Sequence, residues 1–200
     1  MVWPDFWVAP IPLSGGSPYI DLFQLKHTRE NTMSTTPQQA AEFHITRSFD
    51  APREQVWAAF SDAALLSRWF GPAGFPVRVA GLDFRPEGSF HYAIELPGGF
   101  AMWGKFRYLE IAAPERIVSI NSFSDEDGNV TRNPMSESWP LELHNTMTLV
   151  EEGGKTILTQ RSVAHNATAE EQLAFAAGID ALTAGFGGMF DQLAAALAAA

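Results

Sequence analysis

From Thr168 onward, Phe175, Ile179, Leu182, Phe186, Met189, Leu193 and Leu197 recur at intervals of three and four residues. That spacing lays them in one apolar stripe along a long C-terminal helix. Thr168 reads as its N-cap, with Glu170 and Glu171 in the first turn. Such a helix needs an apolar surface to lie on, and the preceding chain provides one. Strand-like runs cover Phe75–Ala80, Ser89–Leu96, Phe100–Ile111, Arg116–Ser124, Leu141–Glu151 and Thr156–Val163. Turn residues separate them, among them Pro97-Gly-Gly99, Asp125–Asn129 and Glu152-Gly-Gly154. Short runs joined this way pair as antiparallel neighbours. Before them, Phe43–Phe49 alternates as a strand, Asp50-Ala-Pro52 opens a first short helix, and Asp62 caps a second that ends at Gly71-Pro72. A curved antiparallel sheet cannot bury its concave face alone, and a long helix laid across it can. The sequence therefore predicts an α+β fold, a curved antiparallel sheet wrapped around a long C-terminal helix, with two short helices after the first strand. Gly178, Gly185, Gly187 and Gly188 interrupt the helical stripe and remove about 4 kcal/mol of helix propensity against alanine. Close approach of the sheet, a cavity wall or a kink is the expected compensation.

Thirteen Lys and Arg against 23 Asp and Glu give a net charge of −10, and the basic residues never form a run. Such a chain is repelled by phosphate backbones and anionic lipid, so neither nucleic acid nor membrane is an expected partner. With no cysteine, disulfides, thiolate metal sites and cysteine nucleophiles are excluded. No apolar run reaches the roughly 18 residues of a membrane span, and a cytoplasmic location is expected. Residues 1–38 read as an irregular N-terminal extension ahead of a domain over 39–200. Pro4, Pro10 and Pro12 break the period of the extension, and Asp5 stands where a signal peptide carries basic residues. Met33-Ser-Thr-Thr-Pro reads as a chain start in its own right, which would leave residues 1–32 upstream of it.

Several pieces of the chain, in order, are similar to one superfamily. Phe43-x-Ile-x-Arg-x-Phe49-x-Ala-Pro52-x-x-x-Val56-Trp57 and Leu65-x-x-Arg68-Trp69-Phe70-Gly71-Pro72 resemble the opening of the START-like (SRPBCC) superfamily. Gly104–Val118, Gly153-Gly-Lys-Thr156-x-Leu158-Thr159 and Gly185–Leu193 resemble later pieces of one branch, which is similar to the C-terminal domain of the activator of the heat-shock-protein-90 ATPase. The resemblance spans about residues 41–197. It implies a helix-grip fold with a pocket between sheet and long helix, and it carries over no catalytic residue. The superfamily holds lipid carriers, aromatic cyclases, ring-hydroxylase subunits and chaperone regulators, so the fold alone names no function. The eukaryotic chaperone activators carry a separate chaperone-binding domain, for which residues 1–40 are too short.

The signal for a site is aromatic and Met content. Alternation places Phe90, Tyr92 and Ile94 on one face and His91 and Glu95 on the other, and the aromatic face is expected to be concave. The expected ligand-binding set is Trp69, Phe90, Tyr92, Met102, Phe106, Phe123, Phe186 and Met189, forming a pocket of several hundred cubic ångströms for a small hydrophobic or aromatic ligand. No catalytic residue, metal ligand or cofactor is assigned. An enzyme reading, a cyclase or hydrolase on an aromatic or polyketide substrate, would draw on His91, Tyr92, Arg107 or His144 as acid and base. A protein-interaction reading, a homodimer or a chaperone-linked contact, would use the outer face bearing Trp103, Lys105 and Arg107. No histidine pair shows the spacing of a metal site. Asp125, Asp127 and Asn129 begin like a calcium loop, but Val130 and Ser136 stand where that loop needs Gly and Glu, so a turn is expected.

Overall fold

Alternation over residues 42–49 produces strand β1 (Glu42–Phe49), which buries Phe43 and Phe49 and turns His44 outward. The computed structural model describes residues 40–199. The N-terminal extension and the Met33 start lie outside the described residues. Two helices follow, α1 (Arg53–Ser61) and α2 (Ala63–Trp69). The Asp62 carboxylate caps α2 by accepting the Leu65 N–H at 2.9 Å. Asp50, expected to cap α1, does not. Pro52 holds the cap position, and Asp50, two residues outside the reach of a capping side chain, pairs with Lys155 at 2.8 Å.

The strands that follow are β2 (Val77–Leu82), β3 (Ser89–Leu96), β4 (Phe100–Ala112), β5 (Arg116–Ser124), β6 (Val130–Thr131), β7 (Glu142–Glu152) and β8 (Lys155–His165). All pair antiparallel in the order β1-β8-β7-β5-β4-β3-β2, with β6 on the end of β5. The β7–β8 turn is Gly153-Gly154, both at positive φ (60° and 79°), the two-residue geometry whose twist matches the strands it joins. The Asp125 carboxylate accepts the N–H groups of Asp127 and Asn129 at 3.0 and 2.8 Å, so it is spent within the turn leading to β6.

The C-terminal segment is not one helix. It divides into α3 (Ala169–Ala177) and α4 (Ile179–Ala198), bent by 53° at Gly178. The cause lies outside the helical pattern, in the loop before β7. A Cβ at Gly178 would stand 2.6 Å from Trp139 Cζ3, so only glycine lets that ring pack into the bend. Trp139 also meets Phe175 at 5.9 Å between ring centroids. Thr168 and Glu171 form a reciprocal cap on α3, each side chain accepting the other's backbone N–H at 3.2 and 2.8 Å. Arg132 pairs with the same Glu171 and holds its carboxyl below the usual range. Contrary to the expectation of close approach, a Cβ at Gly187 or Gly188 would meet nothing within 4 Å. Among the described residues no single helix is long and apolar enough to cross a membrane. The core lies between the concave sheet face and α4, where Phe49 meets Phe190 and Phe43 meets Phe186. The helix is gripped by the sheet as expected.

Candidate functional site

Period two fixes what each central strand aims at α4. β3 turns Phe90, Tyr92 and Ile94 inward, at 3%, 5% and 2% exposure. β4 sends in Met102, Gly104, Phe106 and Tyr108, and β7 sends in Leu143, Asn145, Met147 and Leu149. On β8 the inward row is Thr156, Leu158, Gln160 and Ser162, and Ser119 projects from β5. These rows do not fill the space under α4. They leave a cavity of about 80 Å³, closed at one end by Phe60, Leu66, Trp69 and Phe70 and roofed by Phe186, Met189 and Phe190. A second chamber of about 40 Å³ adjoins it, lined by Tyr92, Asn121 and Ser162 among others. Phe70, Phe106, Asn145, Phe186 and Met189 line both. At roughly 10–15 Å³ per water, the larger chamber has room for about six waters, the space of one single-ring molecule. It is well below the several hundred cubic ångströms expected, because the aromatic side chains supply much of their own packing.

One wall is polar. Asn145 Oδ1 accepts from Ser162 Oγ at 2.5 Å and from Gln160 Nε2 at 3.3 Å, and Asn145 Nδ2 donates to the Leu143 carbonyl at 3.2 Å. Gln160 thus commits its amide hydrogens to neighbours, the Arg161 carbonyl among them at 3.2 Å. Ser119 adds a hydroxyl-bearing side chain to the lining of the same chamber. Among the described residues, no Asp, Glu, Lys, Arg or His lines either chamber. An ion entering would leave water without a counter-charge, so the cavity selects against charge. Burial raises the Tyr92 and Tyr108 phenols well above the ordinary tyrosine range, partly offset at Tyr92 by a hydrogen bond with Asn121. Both stay protonated. Tyr92 lies across Gly104 on the neighbouring strand, where a Cβ would come within 2.4 Å of its hydroxyl oxygen.

Of the residues expected to bind ligand, Trp69 and Phe90 line the larger chamber, Tyr92 the smaller, and Phe106, Phe186 and Met189 both. Met102 and Phe123 are buried but line neither chamber. They stand near strand ends, Met102 opposite Ile94 and Phe123 opposite Thr131. The acid–base set does not assemble in the cavity. His91 is on the outer face, stacked on Trp103 at 4.8 Å with Nε2 3.1 Å from the Asp125 carbonyl oxygen. His144 faces out beside His165, and Arg107 is exposed. Only Tyr92 lies within. Sequence reasoning missed Ser119, Asn145, Gln160 and Tyr108, whereas it did single out the Trp69-Phe70-Gly71-Pro72 segment as lining one end of the pocket. The available signal was a polar residue at an inward position between large apolar ones, as Asn145 stands between Leu143 and Met147. A wider groove of about 430 Å³ lies beyond Trp69, between α1, α2 and the end of α4. Its two glutamines are already engaged, Gln55 with the Leu197 carbonyl and Gln192 with the Gly71 carbonyl.

The family model described as Activator of Hsp90 ATPase homolog 1-like protein matches residues 50–198. The chain is similar to a protein from Arthrobacter aurescens solved by NMR (28% identity, TM-score 0.67, covering 80% of this chain and 88% of that one). It is also similar to a protein from Mycobacterium smegmatis (25%, TM-score 0.63, 80% and 92%) and to one from Staphylococcus epidermidis (28%, TM-score 0.62, 78% and 88%). No functionally curated protein matches it.

Proposed function

The chain belongs to the family of activator of Hsp90 ATPase homolog 1-like proteins, and on that premise we propose that it binds a small uncharged ligand of one ring in the larger chamber, without covalent chemistry of its own. The observation that carries the reading is the pairing of an aromatic enclosure with the polar side chains of Ser119, Asn145 and Gln160 on one wall. A ligand with a single O–H or N–H fits this arrangement. Its ring displaces poorly held water from the apolar end, while its polar group donates to Gln160 and accepts from Ser119.

The test is a binding series at constant ring size, followed by protein NMR shifts of cavity methyl and aromatic signals. Phenol is expected to bind. Benzoate and benzylammonium are expected not to, because each would bury an uncompensated charge. Ser119→Ala should weaken phenol by about two- to tenfold, the net worth of one neutral hydrogen bond. Equal binding of all three compounds, or none of phenol, would overturn the reading.

A further inference from the structure

Resting on that reading, we infer that Phe70 sets the size of the ligand: its ring is a partition between two chambers of one site, and it restricts the site to single-ring molecules. Of the five side chains that line both chambers, Phe106 and Asn145 are held within strands, and Phe186 and Met189 within α4. Phe70 alone lies outside helix and strand, at the C-cap of α2.

The backbone beneath it is fixed on both sides. The Phe70 N–H donates to the Leu66 carbonyl at 2.9 Å, the Gly71 N–H to Met189 Sδ at 3.2 Å, and Gln192 Nε2 to the Gly71 carbonyl at 2.7 Å. Gly71 holds φ at +100°, and a Cβ there would lie 2.5 Å from Val77 Cγ2. The side chain is therefore the part free to vary. Its ring meets Phe90, Tyr92 and Phe106 at 5.2, 4.9 and 6.0 Å, each at 77–78° to its plane. Phe90 stacks on both of its neighbours, at 25° to Tyr92 and 17° to Phe106, while Tyr92 and Phe106 are tilted by 32° to each other. The three rings form an aromatic shelf running from the larger chamber to the smaller, and Phe70 stands on it edge-on. With that ring removed, the shelf offers offset stacking to a flat molecule of two fused rings.

The test compares phenol with 2-naphthol on the full chain, as wild type, Phe70→Ala and Phe70→Leu, each confirmed folded by dispersed NMR spectra. Wild type is expected to take phenol and to bind 2-naphthol at least tenfold more weakly. Phe70→Ala should reverse that order, raising 2-naphthol affinity at least tenfold over wild type, with Phe70→Leu between. Unchanged 2-naphthol affinity in the folded variants overturns the inference. So does failure of Phe70→Leu to fold, because a partition can be shortened without loss of the structure around it. If wild type binds no phenol but Phe70→Ala gains 2-naphthol, the single-ring function falls and the partition stands.

Discussion

Gly104→Ala tests whether the register of the cavity wall follows from packing between strands. Tyr92 and Gly104 face each other across β3 and β4, and the tyrosine ring occupies the space above the glycine. A methyl group there would stand 2.4 Å from the Tyr92 hydroxyl oxygen and 2.5 and 3.0 Å from two carbons of its ring. The ring cannot yield freely, since Phe70, Phe90 and Phe106 flank it. Overpacking of this kind costs about 1–3 kcal/mol. The Gly104 φ is one that any L residue adopts, so alanine also recovers about 0.5–1 kcal/mol of chain entropy. The net expectation is a loss of about 1–2 kcal/mol, or about 2–8 °C in Tm for a chain of this size. In a Tyr92→Leu background the overlap is gone and only the entropic gain remains. There Gly104→Ala should stabilise by about 0.5 kcal/mol, a coupling of at least about 1.5 kcal/mol. Urea unfolding followed by far-UV circular dichroism measures all four proteins, with the m-value as a check that the denatured state is unchanged. If Gly104→Ala shifts stability equally in both backgrounds, the steric argument is refuted.

The folded chain keeps the Tyr92 and Tyr108 protons where the unfolded chain loses them. Their contribution is complete below about pH 10 and is lost as pH rises beyond it, by about 1.4 kcal/mol per pH unit for each tyrosine. Tyr92→Phe should remove about half of that slope in denaturant titrations between pH 10 and 11, and an unchanged slope would count against burial as its cause. Gly187→Ala and Gly188→Ala should each raise stability by about 1 kcal/mol, since both positions open onto free space in α4. Gly178→Ala should instead lower Tm through its overlap with Trp139, and a rise in Tm would sink the account of the bend. Thr168→Ala removes one half of the α3 cap and should cost about 1 kcal/mol by chemical denaturation.

The features legible in the sequence are those set by local period. Alternation in β3 gives the inward aromatic row, and the spacing of Leu182, Met189 and Leu193 gives the buried stripe of α4. What stayed hidden depends on partners distant in the chain. The bend at Gly178 needs Trp139, which no helical pattern contains. β2 begins two residues later than its apolar run suggests, because Phe75 gives its N–H to the Pro72 carbonyl at 3.2 Å and Pro76 has none to give. Hydrophobic content marked Phe106 and Phe186, which line both chambers, together with Met102 and Phe123, which line neither, and could not separate the two pairs. Ser119, Asn145 and Gln160 escaped because their meaning depends on which face of β5, β7 and β8 is concave. That is decided only once the sheet has closed around α4.

The order of strands in the sheet has a consequence for how the protein comes into being. Among the described residues β1 finds its neighbour only in β8, and Thr46 meets Thr159 across 113 residues of chain. Closing a loop of that length costs about 2 kcal/mol more entropy than closing one of ten residues. During synthesis the N-terminal strand therefore waits through the making of every other strand, and α4 follows later still. Until then the inward faces of β1 and β3 lie open to water, with Phe43, Phe49 and Phe90 exposed. The hairpins β3–β4 and β7–β8 can form locally, but the cavity exists only after both ends of the domain have met at one edge of the sheet. The cavity is the last part of the molecule to be made.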